Sequence, residues 1–259
     1  MSNNHQCSAI VVAGGNGTRF GSMKQFAKIF GLPVITWSVY ELLQVADHIV
    51  IVVPRDLYHE YGKDSILEMI SHSEGEVGNY SEAAQKYFNR GKYDYEYLFD
   101  TISVVAGGDT RSESVRCGLE ALPSDTQIVV VHDAARPLAR TNLFLQVIEK
   151  IIGGYDGATC YLPVSDTIKS LGEDGNLFTL DRNKLIAVQT PQAFSFPILQ
   201  KVHSTNPEAT DDIALLEAIE AKIALVKGDP ANLKITEPHD IAILEYLVNI
   251  TDEGLLQNK

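Results

Sequence analysis

Four short runs of mostly β-branched residues, 9–12, 49–53, 102–105 and 128–131, recur along the chain. Each is followed by a turn containing Gly, Pro or Asp and then by a helix-like stretch. The runs are continuously apolar rather than alternating, so both faces of each strand must be covered. Strands of that kind, alternating with helices, build a mostly parallel sheet with helices on both faces, an α/β domain. Ligands are then expected at the carboxyl ends of the strands, where the loops after Val12, Val105 and Val131 gather.

Helices are expected over 34–45, 112–121, 142–152, 211–221 and 241–250, with Thr141, Asp109 and Ser112 as candidate caps. Over 162–185 the pattern becomes a strand, the turn Gly172-Glu173-Asp174-Gly175-Asn176 and a second strand, which predicts a projecting β-hairpin arm of the sort used for dimerisation. The stretch 58–98 is rich in Tyr, Glu, Ser and Asn and poor in apolar spacing. It reads as a surface insertion into a single domain spanning 1–259.

The formal net charge of -13 argues against a nucleic-acid groove, which needs clustered Lys and Arg, but allows a small anionic substrate held by a few focused cations. Cys7, Cys117 and Cys160 are widely spaced and form neither a disulfide framework nor a zinc pattern. No signal-peptide pattern opens the chain and no run approaches the ~20 apolar residues of a spanning helix, so the expectation is a cytoplasmic protein without a membrane partner.

Three motifs carry chemistry. In Ala13-Gly14-Gly15-Asn16-Gly17-Thr18-Arg19, glycines directly after a buried strand let backbone N–H groups approach phosphate oxygens, and Arg19 and Lys24 can neutralise them. The spacing fits neither the dinucleotide fingerprint nor the P-loop, and a tight turn with solvated charges is the alternative reading. Gly107-Gly108-Asp109-Thr110-Arg111-Ser112-Glu113-Ser114 is again a strand end, a glycine turn and a helix start, open to a purely structural reading as caps. In His132-Asp133-Ala134-Ala135-Arg136-Pro137, a carboxylate ends a buried strand with a guanidinium three residues on. Asp133 suits Mg²⁺, which takes one or two carboxylates plus phosphate oxygens, and Arg136 suits a substrate phosphate. An internal Asp–Arg ion pair is the alternative, and His132 reads as a core residue.

Together these stretches resemble the 2-C-methyl-D-erythritol 4-phosphate cytidylyltransferase family of isoprenoid biosynthesis. Pro163-Val164-Ser165-Asp166-Thr167-Ile168-Lys169, Leu180-Asp181-Arg182, Val188-Gln189-Thr190-Pro191-Gln192-Ala193-Phe194, Thr210-Asp211-Asp212 and Asn232-Leu233-Lys234-Ile235-Thr236 extend the resemblance in order over nearly the whole chain apart from 58–98. The resemblance implies a Rossmann-like sheet with the 162–185 arm joining a homodimer, CTP and a sugar-alcohol phosphate as partners, and Mg²⁺ as cofactor. It implies nucleotide contacts from Ala13, Gly14, Gly15, Gly17, Gly108, Asp109 and Ser114, and catalytic cations in Arg19, Lys24 and Lys234. Arg136, Arg182 on the return strand, Thr190 and Thr210 would hold the alcohol phosphate together with Lys234, Thr167 would arrive on the partner's arm, and Asp133 would take the metal.

The sequence departs from the family pattern at Met23, where Pro often precedes the Lys, and at Ala231, where an acidic residue can stand. Three alternatives stay open at this level. Ribitol-5-phosphate cytidylyltransferase shares the chemistry and the arm, although 132–137 is more similar to the methylerythritol enzyme. A sugar nucleotidyltransferase shares the glycine loop and Lys, and a non-catalytic nucleotide-binding homologue would use the insertion as its interaction surface.

Overall fold

A computed structural model describes residues 5–14, 24–70, 95–205 and 208–253. Its strands in chain order are β1 (Cys7–Val12), β2 (Lys28–Ile29), β3 (Leu32–Pro33), β4 (His48–Val53), β5 (Ile102–Ala106), β6 (Ile128–Asp133), β7 (Gly157–Pro163), β8 (Lys169–Leu171), β9 (Leu177–Thr179), β10 (Ile186–Ser195) and β11 (Ile223–Lys227). Its helices are α1 (Val34–Leu42), α2 (Arg55–Ile70), α3 (Tyr95–Thr101), α4 (Arg111–Glu120), α5 (Thr141–Ile152), α6 (Phe196–His203), α7 (Asp212–Glu217) and α8 (Asp240–Glu253).

Seven strands form one sheet in the order β11-β7-β10-β6-β1-β4-β5, and β10 alone runs antiparallel to its neighbours. The alternation of side chains explains why the apolar runs are continuous. Ala9, Val11, Ile49, Ile51 and Val130 face α1, α2 and α5, whereas Ile10, Val50, Val52, Val129 and Val131 face α4, α6 and α7. Strand order reverses between β1 and β6, since the chain places β4 and β5 on one side of β1 before crossing to β6. A crevice at the carboxyl ends of those two strands is the expected ligand position. The hairpin β8–β9 forms its own two-stranded sheet, as the pattern over 162–185 predicts, with Gly175 at φ 80° in its turn.

The 58–98 stretch needs a narrower description than a surface insertion. Its two ends are α2 and α3, and Ile66, Leu67 and Leu98 are fully buried in the main core beside Leu57. The helical period of α2 is hidden in the sequence because Gly62, at φ 68°, breaks the helix and resets the phase of its apolar positions. Residues 71–94 lie outside the described residues.

The helix starts also differ in detail from expectation. Thr110 caps α4, accepting from the Glu113 N–H while the Glu113 carboxylate accepts from the Thr110 N–H, so neither Asp109 nor Ser112 is the cap. At α5, Glu41 from α1 accepts from the Thr141 N–H at 2.6 Å and also from the Thr141 hydroxyl. A partner 100 residues away therefore takes the role assigned to a local cap.

Gly118 lets α4 settle on the sheet: a Cβ there would stand 2.7 Å from Ile10 Cγ2 and 3.1 Å from Val52 Cγ2. Those methyls are branched at Cβ and enclosed, so they cannot swing aside. In Gly118→Ala the overpacking cost of about 1–3 kcal/mol exceeds the roughly 1 kcal/mol gained in helix propensity. The expected result is a net loss on the order of 1 kcal/mol in urea unfolding; a variant more stable than wild type would contradict the close packing.

Candidate active site

β6 delivers Asp133 to the crevice because Val129, Val130 and Val131 fix the strand between both helical layers, leaving the carboxylate at its end. Val12 pairs with Asp133 in parallel register, and the Ala134 N–H donates to the Val12 carbonyl at 3.0 Å. The β1 turn at Ala13 and Gly14 therefore lies beside Asp133. On the other flank, the Thr190 hydroxyl accepts from the Asp133 N–H at 3.0 Å. Thr190 stands where β10 shifts register against β7 between Gln189 and Gln192, and such bulges re-aim side chains.

Three cations surround the Asp133 carboxylate. Lys234 Nζ lies 2.6 Å from Oδ2, Arg111 Nε 3.5 Å from Oδ1 and Arg136 Nε 4.0 Å from Oδ2. Burial would raise the pKa of Asp133, but the charges of Lys234 and Arg111 outweigh it and hold the carboxyl well below the usual range. His132, one residue earlier, is fully buried against Phe144 and bonds the Arg136 carbonyl at 3.1 Å. Burial pushes it down to about 4, so it is a neutral core residue.

Two of these cations and a further one, Lys24, are gathered by the segment 229–236, which contains neither helix nor strand. It carries Lys234 itself; its Asn232 carbonyl accepts from Arg136 at 2.8 Å, and its Ile235 carbonyl accepts from Lys24 Nζ at 2.8 Å. Ile235 is fully buried in a third apolar cluster with Ile29, Leu32, Trp37, Leu244 and Val248, which packs the β2–β3 hairpin and α8 beneath the site. Lys24, Asp133, Arg136, Thr190 and Lys234, separate in the sequence, thus meet in one place.

Other predicted residues have different surroundings. Ser114 is buried, and its hydroxyl donates to the Thr110 carbonyl at 3.0 Å while fitting against Gly14 and Gly107. At both glycines a Cβ would come within 3.0 Å of the Ser114 Oγ, so the two glycine turns approach each other across this side chain. Gly108 lies against Glu113, and the Asp109 side chain is exposed. Thr210 is exposed before α7, and Thr167 and Arg182 are exposed on the arm, where Arg182 donates to the Ser165 carbonyl at 2.7 Å. Gly15, Gly17 and Arg19 lie outside the described residues.

The sequence motifs contain Arg111 and Asp212 without a role for either, and His203 lies outside them. Arg111 NH1 lies 2.7 Å from Asp212 Oδ2, and Asp212 Oδ1 lies 2.9 Å from His203 Nε2, so a buried chain runs from α6 through α7 and α4 to Asp133. One signal was present: a cation in the first turn of α4 opposes the helix dipole and implies a specific anionic partner.

A mostly parallel sheet with glycine turns, a buried carboxylate and converging cations at its switch point is an α/β arrangement suited to phosphorylated ligands. The sequence model of 2-C-methyl-D-erythritol 4-phosphate cytidylyltransferase matches residues 85–250. A protein of that name from Carboxydothermus hydrogenoformans is 35% identical over 246 residues, covering 92% of this chain and 93% of its own length. The crystal structure of 4-diphosphocytidyl-2C-methyl-D-erythritol synthase from Anaerococcus prevotii superposes with a TM-score of 0.72 at 25% identity, over 95% of this chain and 100% of that one. That of the Thermus thermophilus cytidylyltransferase gives 0.67 at 25% identity, over 95% and 99%. The chain belongs to the 2-C-methyl-D-erythritol 4-phosphate cytidylyltransferase family, and is a nucleotidyltransferase.

Proposed function

We propose that the protein transfers the cytidylyl group of CTP to 2-C-methyl-D-erythritol 4-phosphate, giving 4-diphosphocytidyl-2-C-methyl-D-erythritol and pyrophosphate. The observation that carries this reading is the convergence of Arg136 and Lys234 on Asp133 at the sheet's switch point, with Lys24 brought to the same segment through the Ile235 carbonyl, in a chain of net charge -13. The names of the relatives favour methylerythritol phosphate over ribitol phosphate as the acceptor.

A phosphate oxygen of the alcohol phosphate attacks the α-phosphorus of CTP, a new P–O–P linkage forms, and the bond to the β-phosphate breaks with pyrophosphate as leaving group. The attacking phosphate is already anionic near neutral pH, so no protein nucleophile is needed. Catalysis rests on bringing two anions together and offsetting charge as five-coordinate phosphorus forms. Lys24, with Arg19, faces the triphosphate; Arg136 and Lys234 hold the acceptor phosphate, assisted by Thr190 and Thr210. Ala13, Gly14, Gly15, Gly17, Gly108 and Asp109 contact the nucleotide, while Ser114 spaces the two glycine turns.

Among the described residues no cluster of three or more His, Cys, Asp or Glu is arranged for a metal. Asp133 nevertheless fits Mg²⁺. Among the described residues its Oδ1 has the single 3.5 Å contact to Arg111 while Oδ2 stays on Lys234 and Arg136, and one carboxylate plus phosphate oxygens and water is this ion's habit. Bound there, Mg²⁺ supplies positive charge to the triphosphate.

The arm supports a homodimer: Leu171 is 73%, Leu177 62% and Phe178 57% exposed in the single chain, an apolar surface that a second copy would cover. In that dimer Thr167 reaches the partner's site. Among the described residues no helix is long and apolar enough to cross a membrane.

Pyrophosphate release tests the function, with CTP and Mg²⁺ and with methylerythritol phosphate, ribitol phosphate and hexose 1-phosphates offered in parallel, and ATP, UTP and GTP as nucleotide controls. Turnover with CTP and methylerythritol phosphate alone is the expected result. Turnover only with ribitol phosphate would change the acceptor, and CTP binding without any turnover would refute the enzymatic reading.

A further inference from the structure

Segment 229–236 gathers Lys24, Arg136 and Lys234 without a helix or strand; its far end is fixed by buried Ile235, whose N–H donates to the Ala135 carbonyl at 2.8 Å, and towards residue 229 its position rests on side-chain hydrogen bonds. Gln189 supplies them. It lies on β10, is 6% exposed, and its Nε2 donates to the carbonyls of Asp229 at 3.1 Å and Asn232 at 3.2 Å. The Asn232 carbonyl is the acceptor that Arg136 also uses, so one oxygen joins the amide to the guanidinium. Asn232, fully buried, returns the contact: its Nδ2 lies 3.5 Å from Gln189 Oε1 and donates to the Thr190 carbonyl at 2.8 Å.

The backbone leaves room for this amide. A Cβ on Gly228 would fall 2.3 Å from Gln189 Oε1 and 3.1 Å from the Tyr161 carbonyl, so a glycine stands where β11 leads into the segment. Both donor hydrogens of Gln189 thus end on segment 229–236, and Gln189 precedes Thr190, whose hydroxyl receives the Asp133 N–H. The Gln189 amide, with Asn232 returning a bond to the Thr190 carbonyl, therefore references the cation-bearing segment to the strand beside Asp133.

We infer that Gln189 is a positioning residue for phosphate binding, setting segment 229–236 so that Arg136 and Lys234 meet the acceptor phosphate. The inference rests on the cytidylyl-transfer reading. Gln189 itself touches no substrate and acts through the groups it places. A displacement of about 1 Å in such groups can cost on the order of 100-fold in rate.

The test is Gln189→Met, which keeps length and volume but loses both donors, assayed by pyrophosphate release alongside wild type. The expected result is KM for the acceptor phosphate up about 10-fold and kcat down about 10-fold, with far-UV circular dichroism and unfolding midpoint near wild type. Wild-type KM, or a kcat loss that tracks lost folded protein with KM unchanged, would overturn the inference and leave Gln189 a core amide. If the Met protein does not fold, Gly228→Ala displaces the same amide from outside and must move KM in the same direction; unchanged KM there is equally adverse. Absence of turnover in wild type would sink the functional reading instead, which keeps the two failures distinct.

Discussion

Lys24→Ala and Lys234→Ala should each lower cytidylyl transfer at least ~100-fold, the scale on which single electrostatic stabilisers act. Lys24 places its ammonium on the Ile235 carbonyl, and Lys234 places its own on Asp133, so both side chains serve the same crevice from opposite ends of the chain. Lys234 is 41% exposed, and Asp133 keeps Arg111 and Arg136 when it is removed, so the fold should survive. The measurement is pyrophosphate release at saturating CTP and acceptor, with circular dichroism to verify folding. Turnover within about threefold of wild type in either variant would remove that lysine from the catalytic assignment.

Arg111→Leu should cost about 3–5 kcal/mol of stability, the usual result of leaving a buried charge without its partner. Asp212 is 1% exposed and would keep only His203, while Asp133 would lose its Oδ1 contact. The pH dependence gives an independent check. Burial acts to raise the pKa of Asp212, but Arg111 and His203 more than compensate and depress it below the ordinary 3.8. A depressed carboxylate contributes stability that is fully present above the unfolded pKa and lost as pH falls through the folded one. Wild type should therefore lose this contribution below about pH 4, and the gap to Arg111→Leu should narrow there. Urea unfolding at pH 7 and at successively lower pH measures both; parallel curves for the two proteins would contradict the coupling of Arg111 to Asp212.

Much of the site was legible because its residues sit in local patterns: Gly14 after β1, Gly108 after β5 and Asp133 at the end of β6 each follow a buried strand. Arg111 and Asp212 were not legible as a pair, since 101 residues separate them and neither carries a periodic signal of the other. Gln189 was hidden for the same reason: its partners Asp229 and Asn232 lie 40 and 43 residues on, in a segment with no regular structure to announce it. Buried Ile66 and Leu67 at the start of 58–98 were missed because Gly62 interrupts the helical phase of α2.

The sequence by itself determined the layered sheet, because continuous β-branched runs separated by helices can be buried in few other ways. It also determined the projecting hairpin, whose turn chemistry is local. Only the tertiary structure decided how charge is distributed around Asp133, which cations share segment 229–236, and that Thr110 and Glu41 rather than the nearest polar residues close two helix starts. Electrostatic and hydrogen-bond partners are chosen by distance in space, and that distance exists only once the sheet has brought remote strand ends together.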